Sequence, residues 1–493
     1  MKKCLIVAMM GLAAMMVEPL GAAPSAEERE ALAAEFGALF DSEDFANAQW
    51  GVLVESLETG EVWYERNADK LFIPASNEKI PTTAAAYLSL GPDFRYETTV
   101  GLLGEVKDGV LHGDIVVFGQ GDPTFYTRWL DDSRDHFRTW AGLLKERGIT
   151  RVTGNVIGDD NAWDDTHTGS GWPLRGLSAW YYAEYSALQF NENYVDISVQ
   201  ATEDGRVTLT PNVPSRFFTL VNQVTAVDEG GTRVRGDRPN DSNVITVTGQ
   251  AAMGRGATEI SPTITNPTLF FTTVMLETLM AEGITIEGNA IDCDDIRGWS
   301  VTADGVDVLV RHQSPPLSEI GSMLMKRSQN MFAESFVYTM GWKATGLGTF
   351  DAGREVVREK LLPFGVAPDE FVFMDGSGLS RNNLISPRTI HKINRGMYNT
   401  PLRDLWLESQ PIAGVDGTLR GRMRGTAAEG NVRAKTGTLS RVRALSGYVD
   451  TAEGEKLLFS TLLNNYTAAQ SAADGLVETM LVRLAEFKSA AGE

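Results

Sequence analysis

A serine and a lysine three residues apart have the spacing of a nucleophile and its base. Ser76 and Lys79 lie in residues 75–80 (ASNEKI), shortly before a helix-prone run over residues 82–90. If Ser76 lies on the first turn of that helix, Lys79 follows one turn later on the same face and reaches the serine hydroxyl. A serine hydroxyl needs a partner that accepts its proton as it attacks. The alternative is structural, since a helix-capping serine beside a solvated lysine has the same spacing.

Two later segments favour the catalytic interpretation. Ser328 and Asn330 lie two residues apart in an apolar, helix-compatible segment, and Lys435 begins the sequence KTGT on a predicted strand over residues 432–439. A lysine acts as a base only when its pKa is lowered from about 10.4 by desolvation or by nearby positive charge. Lys435 can supply such a charge if the fold brings it close to Lys79.

The pair of Ser328 and Asn330 has a second match in the chain. Ser380 and Asn382 have the same spacing, but they follow the glycine-rich segment 375–379. Residues 320–338 instead have a helical pattern that contains Ser328. We therefore choose Ser328 and Asn330.

The three motifs occur in the order S-x-x-K, S-x-N, K-T-G, which is the set found in penicillin-binding proteins and class A β-lactamases. The long separation of Ser76 from Ser328 and the loop 375–380 make the chain resemble one family in particular. It is similar to the class C low-molecular-mass penicillin-binding proteins, the D-alanyl-D-alanine carboxypeptidase/endopeptidase family. The likeness extends over nearly the whole chain after the N-terminal segment.

The resemblance implies roles for the residues of the first two motifs. Ser76 would be the acylated nucleophile and Lys79 its general base. Ser328 would relay a proton toward the leaving amine, and Asn330 would hold Lys79 and the substrate amide. Two features depart from the family pattern: Gln329 stands where the family often has aspartate, and Pro81 is unusual in the nucleophile helix.

The third motif would bind the substrate by the same resemblance. Lys435 would keep the local field positive and, with Thr436 and Thr438, receive the terminal carboxylate of D-alanine. The backbone N–H groups of Ser76 and Thr438 would form the oxyanion hole. Gly437 would let the substrate backbone approach the strand closely. Two further residues would line the site near the donor side chain, namely Arg381 and Leu439.

The pattern of elements predicts an α/β (α+β) protein. We expect a penicillin-binding-protein/β-lactamase-like transpeptidase domain, with an antiparallel sheet between helices, from residues 24–95 and 303–493. A large β-rich insert, residues 96–302, lies between S-x-x-K and S-x-N, and we divide it into 96–118 with 192–302, and 119–191. Within it, residues 143–157 and 276–291 resemble each other as helix, glycine and strand. Aromatic residues around Trp163, Trp172 and Trp180 are predicted to pack in a core.

Composition and the N-terminus restrict the location and the partners. The chain has 493 residues and a net charge of −21, with no basic stripe for DNA or RNA. Residues 1–23 have the pattern of a secretory signal peptide, and no later segment is apolar and long enough to span a membrane. We therefore expect a periplasmic protein without a stable membrane span. The oligomeric state is left open.

We predict a periplasmic serine-type D-Ala-D-Ala carboxypeptidase that cleaves peptidoglycan stem peptides, with endopeptidase action on cross-links as a second activity, and that binds β-lactams covalently. No cofactor is expected, because five histidines and the one cysteine outside the signal segment have no zinc-ligand spacing. One alternative is a β-lactamase-like hydrolase, which needs fast deacylation. The other is a catalytically idle cell-wall binding protein that retains the fold.

Overall fold

The computed structural model describes residues 25–173 and 176–489, so the predicted signal peptide lies outside the described residues. The N-terminal elements have the predicted order. Helix α1 (Ala26–Phe40) is followed by a hairpin of β1 (Gln49–Ser56) and β2 (Val62–Arg66), and then by α2 (Lys79–Ser89). Residues Ala75–Glu78 form a 3₁₀ turn that leads directly into α2. Pro81 is therefore the third residue of α2, where the backbone nitrogen has no intrahelical partner and proline costs little.

In the central part of the chain, the described residues form thirteen strands and two α-helices. Their bounds are β3 (Glu97–Lys107), β4 (Val110–Phe118), α3 (Asp135–Glu146), β5 (Arg151–Val152), β6 (Val156–Asp159), β7 (Ile197–Ala201), β8 (Val207–Pro211), β9 (Thr219–Val227), β10 (Arg233–Asp237), β11 (Val244–Ala252), β12 (Thr258–Ile260), α4 (Pro267–Ala281), β13 (Thr285–Ile286), β14 (Ala290–Asp292) and β15 (Asp307–Gln313).

The C-terminal part begins with helices and ends in three strands and a helix. The bounds are α5 (Leu317–Arg327), α6 (Asn330–Thr345), α7 (Phe350–Leu361), α8 (Pro387–Tyr398), α9 (Arg403–Ser409), β16 (Arg433–Leu439), β17 (Val442–Asp450), β18 (Lys456–Asn464) and α10 (Gln470–Ala485). The last four elements match the predicted strands and helix to within a few residues.

A five-stranded antiparallel sheet holds the two ends of the chain together. Its strand order is β16-β17-β18-β1-β2, so the N-terminal hairpin pairs with the last strand. Alternate residues of β18 point to opposite faces. Leu457 and Phe459 pack with α1 and α10, whereas Leu458 and Leu462 pack with the helices on the α2 side. The predicted sheet between two helical layers is confirmed.

A second, mixed sheet explains the internal likeness seen in the sequence. Helix α3 leads to β5 and β6, and helix α4 leads to β13 and β14; β13 pairs with β5 and β14 with β6, both parallel. The two units therefore add equivalent strands to one sheet. Strand β15 joins the same sheet by pairing antiparallel with β3. A separate apolar core lies between this sheet, α3, α4 and strands of the two three-stranded sheets.

Within residues 25–173 and 176–489, no helix combines the length and the apolar sequence that a bilayer crossing requires.

Candidate active site

Ser76 lies on a turn that hydrogen bonds join to the neighbouring strands β16 and β17. The neighbouring side chain, Asn77, is fully buried; its Nδ2 donates to the Lys435 carbonyl over 2.7 Å, and its Oδ1 accepts from Ser446 Oγ over 2.7 Å. A Cβ atom on Gly437 would lie 2.7 Å from the Pro74 carbonyl oxygen. Glycine is therefore needed because the turn that carries Ser76 packs on the strand, a different reason from the substrate approach expected above.

The Lys79 ammonium has three polar neighbours. Its Nζ lies 3.1 Å from Ser76 Oγ, and it donates to Asn330 Oδ1 and to the Ser377 carbonyl, each over 2.6 Å. The last two oxygens can only accept, whereas a serine hydroxyl can also donate. A neutral amine has two hydrogens and one lone pair. The arrangement thus suits an uncharged Lys79 that accepts the Ser76 proton.

Burial makes that uncharged form accessible. The Lys79 side chain is fully buried, and this desolvation lowers its pKa to about 7, although the carboxyl groups of Asp375, Glu334 and Glu78 act in the opposite direction. Lys435 is also fully buried, and burial together with the charge of Lys79 holds its pKa well below the usual value. The charge of Lys79 therefore disfavours the charged form of Lys435, whereas burial alone lowers the pKa of Lys79.

Ser328 lies between two helices, which corrects the predicted continuous helix over residues 320–338. Helix α5 ends at Arg327 and α6 begins at Asn330, while Ser328 adopts a left-handed conformation with φ of 62°. Such a residue breaks the helical hydrogen bonding and redirects the chain. The Ser328 Oγ accepts from Lys435 Nζ over 2.8 Å, and the Asn330 Nδ2 donates to the Tyr181 carbonyl over 2.7 Å.

The competing pair has a structural role in the loop that follows α7. The backbone N–H of Ser380 donates to Asp375 Oδ2 over 2.6 Å, and its Oγ accepts from the Asn382 N–H over 3.3 Å. Among the described residues, no hydrogen bond joins Ser380 to Lys79 or Lys435.

A cavity of about 590 Å³ opens in front of Ser76. The residues predicted from the sequence that line it are Ser76, Ser328, Asn330, Thr436, Thr438 and Leu439. Lys79 and Lys435 lie buried behind them. Arg381 is not in the lining; it is exposed and donates to the Ser440 carbonyl over 2.9 Å. None of the described lining residues is acidic.

The hydroxyls of the third motif are held by neighbours that the sequence did not single out. Thr436 Oγ1 donates to Thr418 Oγ1 over 2.7 Å, and Thr438 Oγ1 accepts from Arg443, which also binds Asp474. Aromatic residues line the opposite side of the cavity. Trp163 and Trp172 are buried as predicted, but Trp180, Tyr181 and Tyr182 line the cavity instead.

Two buried acids shape the loop beneath Lys79, and sequence reasoning missed both. Glu334 accepts from the backbone N–H groups of Gly376 and Ser377 over 3.0 and 2.9 Å. Asp375 accepts from Gly378 over 2.7 Å and from Trp172 Nε1 over 2.8 Å. These bonds present the Ser377 carbonyl to Lys79. Glu334 follows Asn330 by four residues, so helical spacing alone could have pointed to it.

Glu78 is a third acid, two residues after Ser76, and it is fully buried. Neither of its carboxyl oxygens has a hydrogen-bond partner among the described residues. Burial, reinforced by Asp375 and Glu334, raises the pKa of this carboxyl well above its usual value. The neutral acid is therefore the stable form, and ionising it opposes folding.

The described residues contain a group that could in principle ligate a metal, with ligand atoms within 4.8 Å of one another: Asp160, Asp292, Cys293 and Asp294. Its buried carboxylates already have protein partners. Asp160 accepts from Ser186 and Thr268, and Asp292 accepts from Asn266. Protein hydrogen bonds thus account for these acids.

Replacing Glu78 by glutamine is expected to stabilise the protein by an amount that grows with pH. The unfolded chain releases the Glu78 proton near pH 4.5, whereas the folded protein holds it to higher pH. The pH-dependent gain in the free energy of unfolding of Glu78→Gln over wild type is therefore absent below about pH 4.5. Above that pH it increases by up to about 1.4 kcal/mol per pH unit until the pKa of Glu78 in the folded protein is reached. Urea unfolding of both proteins between about pH 4.5 and 8 measures it. A difference that stays constant with pH contradicts this account.

Comparison with known proteins agrees with this geometry. A sequence profile of the D-Ala-D-Ala carboxypeptidase 3 (S13) family matches residues 32–486. A D-alanyl-D-alanine carboxypeptidase of Actinomadura sp. (strain R39) is 33% identical over an alignment 494 positions long, which covers 95% of this chain and 88% of that protein. The D-alanyl-D-alanine carboxypeptidase DacB of Haemophilus influenzae is 26% identical over 429 residues, covering 85% of each.

A solved structure has the same fold. The crystal structure of penicillin-binding protein 4 (dacB) from Haemophilus influenzae superposes with a TM-score of 0.79 at 24% identity, covering 92% of this chain and 99% of that chain. The predicted family and fold class are confirmed. The chain belongs to the D-Ala-D-Ala carboxypeptidase 3 (S13) family and is an enzyme with the penicillin-binding fold of that family.

Proposed function

We propose that the chain is a periplasmic serine DD-peptidase that removes D-alanine from peptidoglycan stem peptides and also cleaves their cross-links. The observation that carries this proposal is the contact of Lys79 Nζ with Ser76 Oγ at 3.1 Å in a site that excludes water from the amine. The names of the two carboxypeptidase relatives agree with the substrate.

The reaction begins when Ser76 Oγ attacks the carbonyl carbon of the penultimate D-alanine. Lys79 accepts the hydroxyl proton as the new C–O bond forms. The scissile C–N bond then breaks, and the proton held by Lys79 reaches the leaving amine through the hydroxyl of Ser328, which Lys435 holds by a hydrogen bond. A water molecule next adds to the ester carbonyl while Lys79 takes one of its protons. The C–Oγ bond breaks, that proton returns to Ser76 Oγ, and the shortened peptide leaves with the water oxygen in its new carboxyl group. Atoms and charges balance without a metal or an organic cofactor.

Two sets of groups stabilise the substrate and the transition state. The backbone N–H groups of Ser76 and Thr438 bind the oxyanion, and both residues line the same cavity. Lys435, Thr436 and Thr438 bind the terminal carboxylate. Leu439 and the aromatic residues of the opposite wall contact the donor side chain, while Arg381 supports this end of the strand from outside the cavity.

β-Lactams acylate the same serine, and the described residues that line the cavity include no glutamate like the one that class A β-lactamases use for deacylation. This feature argues against a β-lactamase. Secretion follows from the signal peptide predicted for residues 1–23. We also propose that residues 24–95 and 303–493 form the peptidase domain around the insert 96–302, with β15 (Asp307–Gln313) extending the sheet of the insert.

Replacing Ser76 by alanine is expected to lower D-alanine release from a diacyl D-Ala-D-Ala peptide by at least about 10⁴-fold and to abolish labelling by a fluorescent penicillin. The matched control is Ser89→Ala at the end of α2, which removes a hydroxyl outside the site and retains both activities. Equal D-alanine release by wild type and Ser76→Ala refutes the assignment and supports the idle binding protein.

The choice of Ser328 over Ser380 is tested by a second pair of variants. Ser328→Ala is expected to lower kcat by about 10² to 10⁴-fold, because the leaving amine loses its proton relay. Ser380→Ala removes a hydroxyl whose one hydrogen bond among the described residues is to the backbone N–H of Asn382, so kcat is expected to stay close to that of wild type. Steady-state kinetics on the same peptide compare them. If Ser380→Ala lowers kcat and Ser328→Ala does not, the role of proton relay belongs to Ser380 instead of Ser328.

The rate of acylation by penicillin is expected to rise as the pH increases through about 7, because the free-base form of Lys79 is required and its pKa is about 7. Below that pH the amine carries the extra proton and the rate falls about tenfold per unit. Stopped-flow kinetics between about pH 5 and 9 measures the profile. Lys79→Arg remains charged throughout this range and is inactive. A flat wild-type profile contradicts a titrating lysine base.

A further inference from the structure

A second cavity, of about 520 Å³, adjoins the one in front of Ser76. It lies between helix α5 and the turn Gly417–Leu419, and Arg327 and Thr418 line both cavities. Ser328, the proposed proton donor to the leaving amine, follows Arg327 directly. The second cavity therefore lies on the leaving-group side of the scissile bond.

Positive charge predominates in this cavity, although the chain as a whole has a net charge of −21. Lys326, Arg327 and Arg420 line it with only one carboxylate, that of Glu319. The Lys326 ammonium is neutralised by Asp416. Arg327 and Arg420 are exposed, and neither guanidinium has an ion pair or hydrogen bond within residues 25–173 and 176–489. Two cations are thus available to an anionic ligand.

Hydrogen bonds hold the cavity wall in place without a ligand. Thr418 Oγ1 bonds to Thr436 Oγ1 of the KTG strand at 2.7 Å, and Asp416 Oδ1 accepts from the backbone N–H of Ile412 over 2.9 Å. Gly417 has φ of 57°, and a Cβ there would lie 2.8 Å from the Lys326 carbonyl oxygen. The wall is therefore preformed, which reduces the entropic cost of binding.

We propose that this second cavity binds the leaving half of a cross-linked stem peptide, with Arg420 and Arg327 recognising a free carboxylate beyond the scissile amide. A leaving D-alanine is too short to reach it, whereas a leaving peptide extends past Ser328. The inference rests on the proposed function and deepens it, because it makes the cross-link the preferred substrate. Arginine suits the role, since its planar guanidinium binds carboxylates with two parallel hydrogen bonds.

The test uses two synthetic cross-linked peptides that differ at one group, a free α-carboxylate or its primary amide on a glutamate of the leaving half. Wild-type kcat/KM is expected to be about fivefold higher for the carboxylate form, as for an exposed ion pair. Arg420→Gln loses this preference and retains wild-type penicillin acylation and D-alanine release from a short peptide. The matched control is Arg255→Gln, which removes an exposed positive charge of the insert that has no ion pair among the described residues, and this variant keeps the preference.

Four other results would overturn the proposal that this cavity binds the leaving half of a cross-linked peptide. The proposal is overturned if wild type does not distinguish the two peptides, if it releases D-alanine from the short peptide but leaves both cross-linked peptides intact, or if Arg420→Gln retains the preference. It is also overturned if Arg420→Gln slows short-peptide cleavage and penicillin acylation as well, because the side chain then acts on the catalytic centre. Failure of wild type to cleave the short peptide refutes the proposed function itself, a result that is distinct from all of these.

Discussion

The burial of the Lys79 amine is the constraint on which the site depends. An exposed lysine would stay charged near neutral pH and could not accept a proton from serine. Here, full burial lowers the pKa of Lys79 to about 7, and the Asn330 side-chain oxygen and the Ser377 carbonyl each accept a hydrogen bond from the amine. Buried polar groups that are only partly paired are costly. The segments around Lys79 must therefore pack closely against one another. Most of the unusual local features of the site allow this close packing.

Close backbone approach is the first of these features. The turn that carries Ser76 packs against the KTG strand, where Gly437 leaves room for the Pro74 carbonyl. On the other side, Gly378 has φ of 84°, and a Cβ there would lie 1.9 Å from the Ala75 carbonyl oxygen. Because Gly437 and Gly378 have no side chain, the backbones of both segments can contact the backbone of the turn that carries Ser76. Asn77 then joins the turn to both strands by hydrogen bonds.

The insert contributes directly to the site. The Tyr181 carbonyl accepts from Asn330, and Trp180, Tyr181 and Tyr182 form part of the cavity wall. Trp172 bonds to Asp375 in the loop that contacts Lys79. The long segment between the first two motifs therefore supplies part of the cavity wall and a hydrogen-bond partner for Asn330.

The sequence by itself determined the motifs, the elements and their approximate bounds, because apolar periodicity and short-range spacing are local properties of the chain. Ser76 and Lys79 needed only the geometry of one helical turn. The tertiary structure decided the rest. The left-handed Ser328 between two helices, the unpaired Glu78 and the paired acids Glu334 and Asp375 all arise from contacts between segments far apart in sequence. Apart from the four-residue spacing of Glu334 from Asn330, such contacts leave no periodic signal in the sequence. Desolvation, which lowers the lysine pKa values, exists only once those segments have packed together.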